Sequence, residues 1–233
     1  MGKCSAFLPL QFTFVSNGLT SFITIYKYLD MHAPDQLTLT GFPANQYMVF
    51  IRPVEPIEHR IKKLKMHLKQ DFGLQNGQLM GGYILLSRFS QQEGLERIVL
   101  DRLRLISMGM APFRVQFSGF LSIPDHSVGI RIANPAGVSQ LVKALQQEQR
   151  LMKTPLTKPY FNAYPAVCLA SRLEAGQYKS IWNDLKHRQF NGSFIAGNLV
   201  VIRKRPNDKQ WLIVEEMAFQ NLPVSTRQGV LFA

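Results

Sequence analysis

The chain has 233 residues, 46% of them hydrophobic, and its 27 lysine and arginine residues against 15 acidic ones give a formal net charge of +12. That length admits one large domain or two small ones, and that composition fills a packed core, which excludes a disordered or fibrous chain. No run reaches the roughly 18 to 20 apolar residues that cross a bilayer, and the two cysteines, Cys4 and Cys168, make no disulfide framework.

Cysteine usage fits a reducing compartment and predicts a cytoplasmic protein. There is no CxxC and no His/Cys cluster at metal-ligand spacing, so neither a metal nor another cofactor is expected. In residues 1–45 the charges Lys3, Lys27, Asp30 and Asp35 sum to zero, so the whole positive excess belongs to the rest of the chain. A domain that basic favours polyanions such as RNA, nucleotides or phosphoesters. The alternative is a solvated basic surface that aids solubility.

In chain order, residues 1–45 read as an extension outside the domain, because their apolar run is broken by polar residues and no cleavage signal follows. The domain is expected over 46–220, with 221–233 a tail. Tyr47–Ile51 is a buried-strand pattern ended by Pro53. Ile57, Ile61, Leu64, Leu68 and Phe72 lie 4, 3, 4 and 4 apart, one apolar stripe of a helix that Gly73 stops. Its other face carries Arg60, Lys62, Lys63, Lys65 and Lys69. A glycine-rich loop leads to a short strand, Gly82–Phe89. A helix is predicted over Gln91–Ile106, with Leu95, Ile98, Val99, Leu103 and Ile106 inward. Phe113, Val115 and Phe117 alternate as a strand, and so do Val128, Ile130 and Ile132 after the turn at Pro124–Ser127.

A second round follows. Asn134-Pro135 opens a helix with Val138, Leu141, Val142 and Leu145 facing the core. Residues 146–162 read as a long loop. A strand at Ala166 leads to a helix over Glu174–Gln189, a strand over Phe194–Ile202 with a break near Gly197-Asn198, and a closing strand over Trp211–Met217. Tyr83 and Ala166 stand 83 positions apart, Val49 and Ile130 81, and Val115 and Leu199 84. Similar elements in the same order at a nearly constant offset predict a two-lobed domain with internal pseudo-twofold symmetry.

This layout resembles the two-histidine (2H) phosphoesterase superfamily, the group of 2'-5' RNA ligase-like proteins and RNA cyclic phosphodiesterases. Met48-Val-Phe-Ile-Arg-Pro53 is similar to the family's opening strand. Ala111-Pro-Phe113 through Gly119-Phe-Leu-Ser-Ile-Pro124 is similar to its turn into a hairpin, and Val200-Val-Ile-Arg-Lys-Arg-Pro206 to its last strands. The resemblance implies an α+β fold, duplicated and two-lobed, with two antiparallel-rich sheets around a central groove and helices outside. It also implies a His-x-Thr/Ser motif on each central strand. Residues i and i+2 of a strand share a face, so both side chains enter the groove. One histidine takes a proton and the other gives one.

Here the first motif aligns with Tyr83-Ile84-Leu85 and the second with Ala166-Val167-Cys168. Both histidines and both hydroxyl residues are absent, and none of His32, His59, His67, His126 or His187 falls on either strand. A tyrosine with an ordinary pKa near 10 is a poor base at neutral pH. Each general acid or base typically contributes about 10² to 10⁴ in rate, so the family's reaction is not expected. His126, in a turn, and His187, near a helix end, read as surface residues. Cys168 reads as a buried inert thiol.

Three functions stay open. The first is a non-catalytic protein with a basic groove for RNA ends, nucleotides or phosphoesters. There Arg88 and Arg172 end the two central strands at matching positions and hold phosphate, while Tyr83, Tyr160 and Tyr164 stack on a base. The second is an active phosphodiesterase or ligase with a rewired site, and the third a structural or interaction domain with a filled groove. A monomer is expected, with no membrane partner.

Overall fold

The structure is a computed structural model, and it describes residues 44–223 apart from 76, 77, 80 and 125. The extension expected over 1–45 lies outside the described residues, except that Ala44 and Asn45 already belong to the first strand.

Among the described residues nine strands form two antiparallel sheets. In chain order they are β1 (Ala44–Ile51), β2 (Ile84–Gln92), β3 (Phe113–Ile123), β4 (Ser127–Ile132), β5 (Tyr160–Phe161), β6 (Ala166–Ala170), β7 (Asn191–Ala196), β8 (Asn198–Lys204) and β9 (Leu212–Ala218). The first sheet has the order β5-β2-β1-β8-β9 and the second β6-β4-β3-β7. Five α-helices accompany them: α1 (Ile57–Asp71), α2 (Glu96–Gly109), α3 (Ala136–Gln147), α4 (Gln149–Met152) and α5 (Ala175–Leu185). Among the described residues no helix is long and apolar enough to cross a membrane.

The expected α+β, two-lobed architecture is what the chain adopts, and the two halves trade strands. β3, from the first half, pairs with β4 in the second sheet, while β8, from the second half, pairs with β1 in the first. The helices cross over too. α1 follows β1 but packs against β7, and α3 follows β4 but packs against β2. The apolar stripes read from spacing are the cause: Ile57, Ile61 and Leu68 on α1, and Val138, Leu141, Val142 and Leu145 on α3, are all buried in the main core. Gly119 takes φ +67, a left-handed conformation that glycine adopts without steric cost, where β3 shifts register between Phe117 and Phe120. That irregularity keeps Phe117 and Phe120 both inward, against Phe190.

Several boundaries differ from the sequence expectation. β2 runs on to Gln92, and a 3₁₀ turn at Glu93–Leu95 separates it from α2. Leu95 and Ile98 are exposed, at 39% and 48%, and Leu100 takes the inward place. The expected 91–106 helix assumed one unbroken period, but the turn starts the helical phase afresh at Glu96. The long loop over 146–162 contains α4 and β5. The expected strand over Phe194–Ile202 is two strands in two different sheets, and the break at Gly197 is the crossing between them.

A partly buried ion pair anchors α2 to the first sheet. Arg203 Nη1 donates to both Glu96 oxygens at 2.8 and 2.7 Å, and the Tyr47 hydroxyl donates to Glu96 Oε2 at 2.7 Å. Burial is the main reason the Tyr47 hydroxyl titrates well above its usual range, with the Glu96 carboxylate adding to it.

The crossing strand β3 gives a stability prediction. Phe117 is 1% exposed and stacks on Phe194 at 5.9 Å between ring centroids. Phe117→Ala is expected to lower the unfolding free energy by about 3–5 kcal/mol, read as a shift of the urea midpoint. A shift no larger than that of an exposed Ile195→Ala control would show that β3 does not carry the core as described.

Candidate functional site

The two strands expected to carry the chemistry, β2 and β6, lie on different sheets and run beside one another. The chain crosses between the sheets there. Leu79 bridges to Ala170, and the Ser171 amide donates to the Gln78 carbonyl at 2.8 Å. Each strand carries the same irregularity. Against β1, Val49 pairs with Ser87 but Phe50 with Leu85, so Leu86 is an extra residue. Against β4, Val128 pairs with Ala170 but Gly129 with Cys168, so Leu169 is an extra residue. A bulge of this kind shifts which side chains face which way. It lets Tyr83 and Leu85 share the groove face with Arg88, which stands opposite Met48.

These registers equate Leu85 with Cys168, and Phe50 with Gly129, 79 positions apart. The offset for the outer strands is therefore 79 and not the expected 81 to 84. At that offset Arg52 matches Arg131 and Pro56 matches Pro135, the residues that cap α1 and α3. The shared letters were visible as Ile51-Arg52 with Pro56 and Ile130-Arg131 with Pro135. Apolar periodicity alone, being tolerant of a two-residue slip, hid them.

The pairing of Arg88 with Arg172 is corrected in the same way. Arg88 sits inside β2, while β6 ends at Ala170 and Arg172 lies beyond it at φ +54. Counted from the bulges, the counterpart of Arg88 is Ser171.

The four motif positions are largely withdrawn from water. Tyr83 is 8% exposed and stacks on Phe50 at 4.5 Å between centroids. Its hydroxyl donates to Met48 Sδ at 3.8 Å. The ring lies directly over Gly81, where a Cβ would come within 2.0 Å of it. Met48, Phe50, Tyr83, Val200, Ile202 and Trp211, with Leu85 against them, make a separate apolar cluster on this face of the first sheet. The expected stacking of Tyr83 on a ligand base is therefore not available, because its partner is Phe50. On the second sheet Ala166 is 4% exposed. The half-buried Cys168 thiol lies 3.6 Å from the Ala170 carbonyl, and burial pushes its pKa up to about 12.

Polar chemistry survives at the rim. Arg88 is exposed, with its guanidinium 5.7 Å from the centroid of the Tyr160 ring. Tyr160 is 45% and Tyr164 52% exposed. Asn162 sets both. Its amide donates to the Leu85 carbonyl at 2.8 Å and its Oδ1 accepts from the Tyr164 amide at 3.0 Å. Its own backbone N–H donates to the Leu86 carbonyl at 2.9 Å, so one asparagine satisfies the bulged backbone. Burial raises the Tyr160 hydroxyl above its usual pKa, Arg88 opposes that, and the nearby Cys168 and Tyr164 add to it. Four of the expected residues thus come together: Arg88, Tyr160, Tyr164 and Cys168. Asn162 was missed, since a lone asparagine in a loop carries no sequence signal.

Several of the cations elsewhere are engaged. Arg52 lies 3.7 Å from Glu216. On α1, outside the second sheet, Arg60 sits over the Phe190 ring at 4.5 Å and Lys62 pairs with Glu58 at 2.8 Å. Burial lowers the pKa of Lys65. The basic face of α1 is thus spent partly on local contacts and lies away from the groove.

No protein-family profile matches the chain, and no curated protein matches it in sequence. Solved structures do. The TT0787 protein of Thermus thermophilus superposes with a TM-score of 0.54 at 14% identity, over 75% of this chain and 98% of that one. E. coli LigT complexed with phosphate gives 0.53 at 11% identity, and complexed with NADP+ 0.52 at 12%, each over 76% of this chain and 98% and 99% of LigT. At such identities the likeness speaks for the fold. The chain therefore has the two-lobed fold of LigT, as the resemblance to 2H phosphoesterases implied.

Proposed function

We propose that this protein is a non-catalytic relative of the 2H phosphoesterases that binds a nucleotide or another phosphoester at the rim of its groove, with Arg88 on the phosphate and Tyr160 and Tyr164 against the base. The observation that carries the reading is the content of the four motif positions. Tyr83 and Leu85 are packed into an apolar cluster, Ala166 has no polar atom, and the Cys168 thiol is held protonated by burial. Leu85 and Ala166 cannot transfer a proton, the Cys168 thiol stays protonated near pH 7, and a tyrosine with an ordinary pKa near 10 is a poor base there, whereas a rewired phosphodiesterase needs both an acid and a base. Binding without turnover needs only a cation and flat apolar surface, and the rim offers both. LigT has been crystallised with 3'-AMP, NADP+ and phosphate, which fits ligands of this class in a groove of this fold.

One observation favours a second reading, an interaction domain with a filled groove. Met48, Phe50, Tyr83 and Trp211 already occupy the groove face of the first sheet. The two readings separate on ligand binding.

Purified protein is expected to leave 2',3'-cyclic AMP and a 2',3'-cyclic phosphate RNA end intact while gaining thermal stability from mononucleotides. Arg88→Ala should weaken that binding about tenfold, with affinity falling as salt rises. Turnover abolished by Cys168→Ala or Tyr83→Phe would establish the rewired enzyme. The absence of any nucleotide-dependent shift in the melting midpoint at low salt would leave the filled-groove reading.

Cys168 gives a pH prediction. Its folded pKa is raised above the unfolded value, so its contribution to stability is complete below the unfolded pKa, about 8.5. That contribution is lost as pH rises toward about 12. With Cys4 replaced by serine, the native protein should alkylate with iodoacetamide far more slowly at pH 8.5 than the urea-unfolded chain. Cys168→Ala should flatten part of the stability loss between pH 9 and 11. Equal alkylation rates for the folded and unfolded chains would show that the thiol is not shielded.

A further inference from the structure

Arg131 pairs with Ala166, and Arg52, at the matching place in the first half, follows directly on Ile51, which pairs with Ile84, yet their surroundings differ. Arg52 lies beside Glu216, whereas Arg131 is exposed and has no ion pair among the described residues. Arg131 borders a hollow of about 560 Å³ on the second lobe, walled by Tyr164, Trp182, Pro135 and Pro165 with Ile132 behind them. Ser122, also on its wall, is engaged with the Tyr178 hydroxyl at 2.7 Å. The hollow therefore offers one positive charge, two aromatic rings and two proline faces.

We infer that this hollow is a binding site for an aromatic ring carrying a single carboxylate, either as a free acid or as the C-terminal residue of a peptide. The charge count selects the carboxylate. A planar guanidinium matches a carboxylate with two parallel hydrogen bonds. A phosphate dianion would bring a second charge to a lining that holds no second cation. The rings select the aromatic group, since Trp182 and Tyr164 offer faces for offset or edge-on stacking. The volume exceeds that of one such residue, and the hollow is open on its outer side, which leaves room for a peptide chain to continue. The hollow shares Tyr164 with the phosphoester reading but not its cation, since neither Arg88 nor Tyr160 is among its walls.

The full chain supplies its own reporter. Trp182 lines the hollow, while the other tryptophan, Trp211, is 4% exposed in the first-sheet cluster. N-acetylphenylalanine is expected to change tryptophan emission saturably in the wild type but not in Trp182→Phe. N-acetylphenylalaninamide, the same shape without the charge, should bind about tenfold more weakly or worse. Arg131→Met, which keeps the stem and loses the fork, should show the same loss for the acid, and Lys209→Met, which removes an exposed charge elsewhere, should bind it as the wild type does. Tighter binding of a tetrapeptide ending in phenylalanine would assign the ligand to a chain terminus, and equal binding to the free acid. An amide that binds as well as the acid, an unsaturable signal, or equal affinity in Arg131→Met and the wild type would each overturn the inference. The amide arm needs no variant, so a folding defect in Arg131→Met does not shelter the claim.

Discussion

The exchange of strands between the two sheets is the constraint on which everything else rests. A sheet built only from β2 and β1, or only from β6 and β4, would be two strands wide and too small to hold a core. Each becomes stable by receiving a strand from the other half, β8 beside β1 and β3 beside β4. The crossing of α1 and α3 completes the arrangement, because each helix buries its apolar stripe under the sheet opposite its own strand. The line along which β2 and β6 meet is a by-product of that trade, and it is where this fold places its groove.

What that line contains decides the chemistry. The backbone is built alike on both sides, down to one extra residue after Leu85 and one after Cys168. The side chains are not alike. On one side large apolar groups fill the space, with Phe50 and Tyr83 face to face. On the other the matching residues are Gly129 and Ala166, both small. The positive charge that composition puts on this chain is likewise divided. Some of it is neutralised locally, as at Arg52 and Arg203, and some is left at the rim, as at Arg88 and Arg131.

Much of this architecture was legible in the residues. The 4, 3, 4, 4 spacing from Ile57 marked α1, and Val138 through Leu145 marked α3, because an apolar stripe is a direct trace of burial. The motif positions were legible for a similar reason, since a strand alternates faces without exception until a bulge intervenes. The bulges themselves were not, because an inserted residue looks like any other letter. The errors of register have a different source: apolar periodicity tolerates a slip of a few residues, so Arg172 was counted level with Arg88 and the outer strands were placed two to five positions out of register. Gly197 read as a flaw in one strand when it marks a change of sheet. The solvent state of Arg131 had no sequence signature at all, because it depends on which carboxylates the fold brings near.

The strand trade also bears on how the chain comes to be folded. Val49 in β1 pairs with Val201 in β8, so among the described strands the earliest in the chain waits for almost the last before its sheet closes. Contacts that distant in sequence slow the search for the native state. Until β8 emerges, the apolar inner residues of β1 and β2 have no lasting cover. Apolar surface left uncovered for that long, beside an unpaired strand edge, favours aggregation during folding, whatever ligand the finished protein holds.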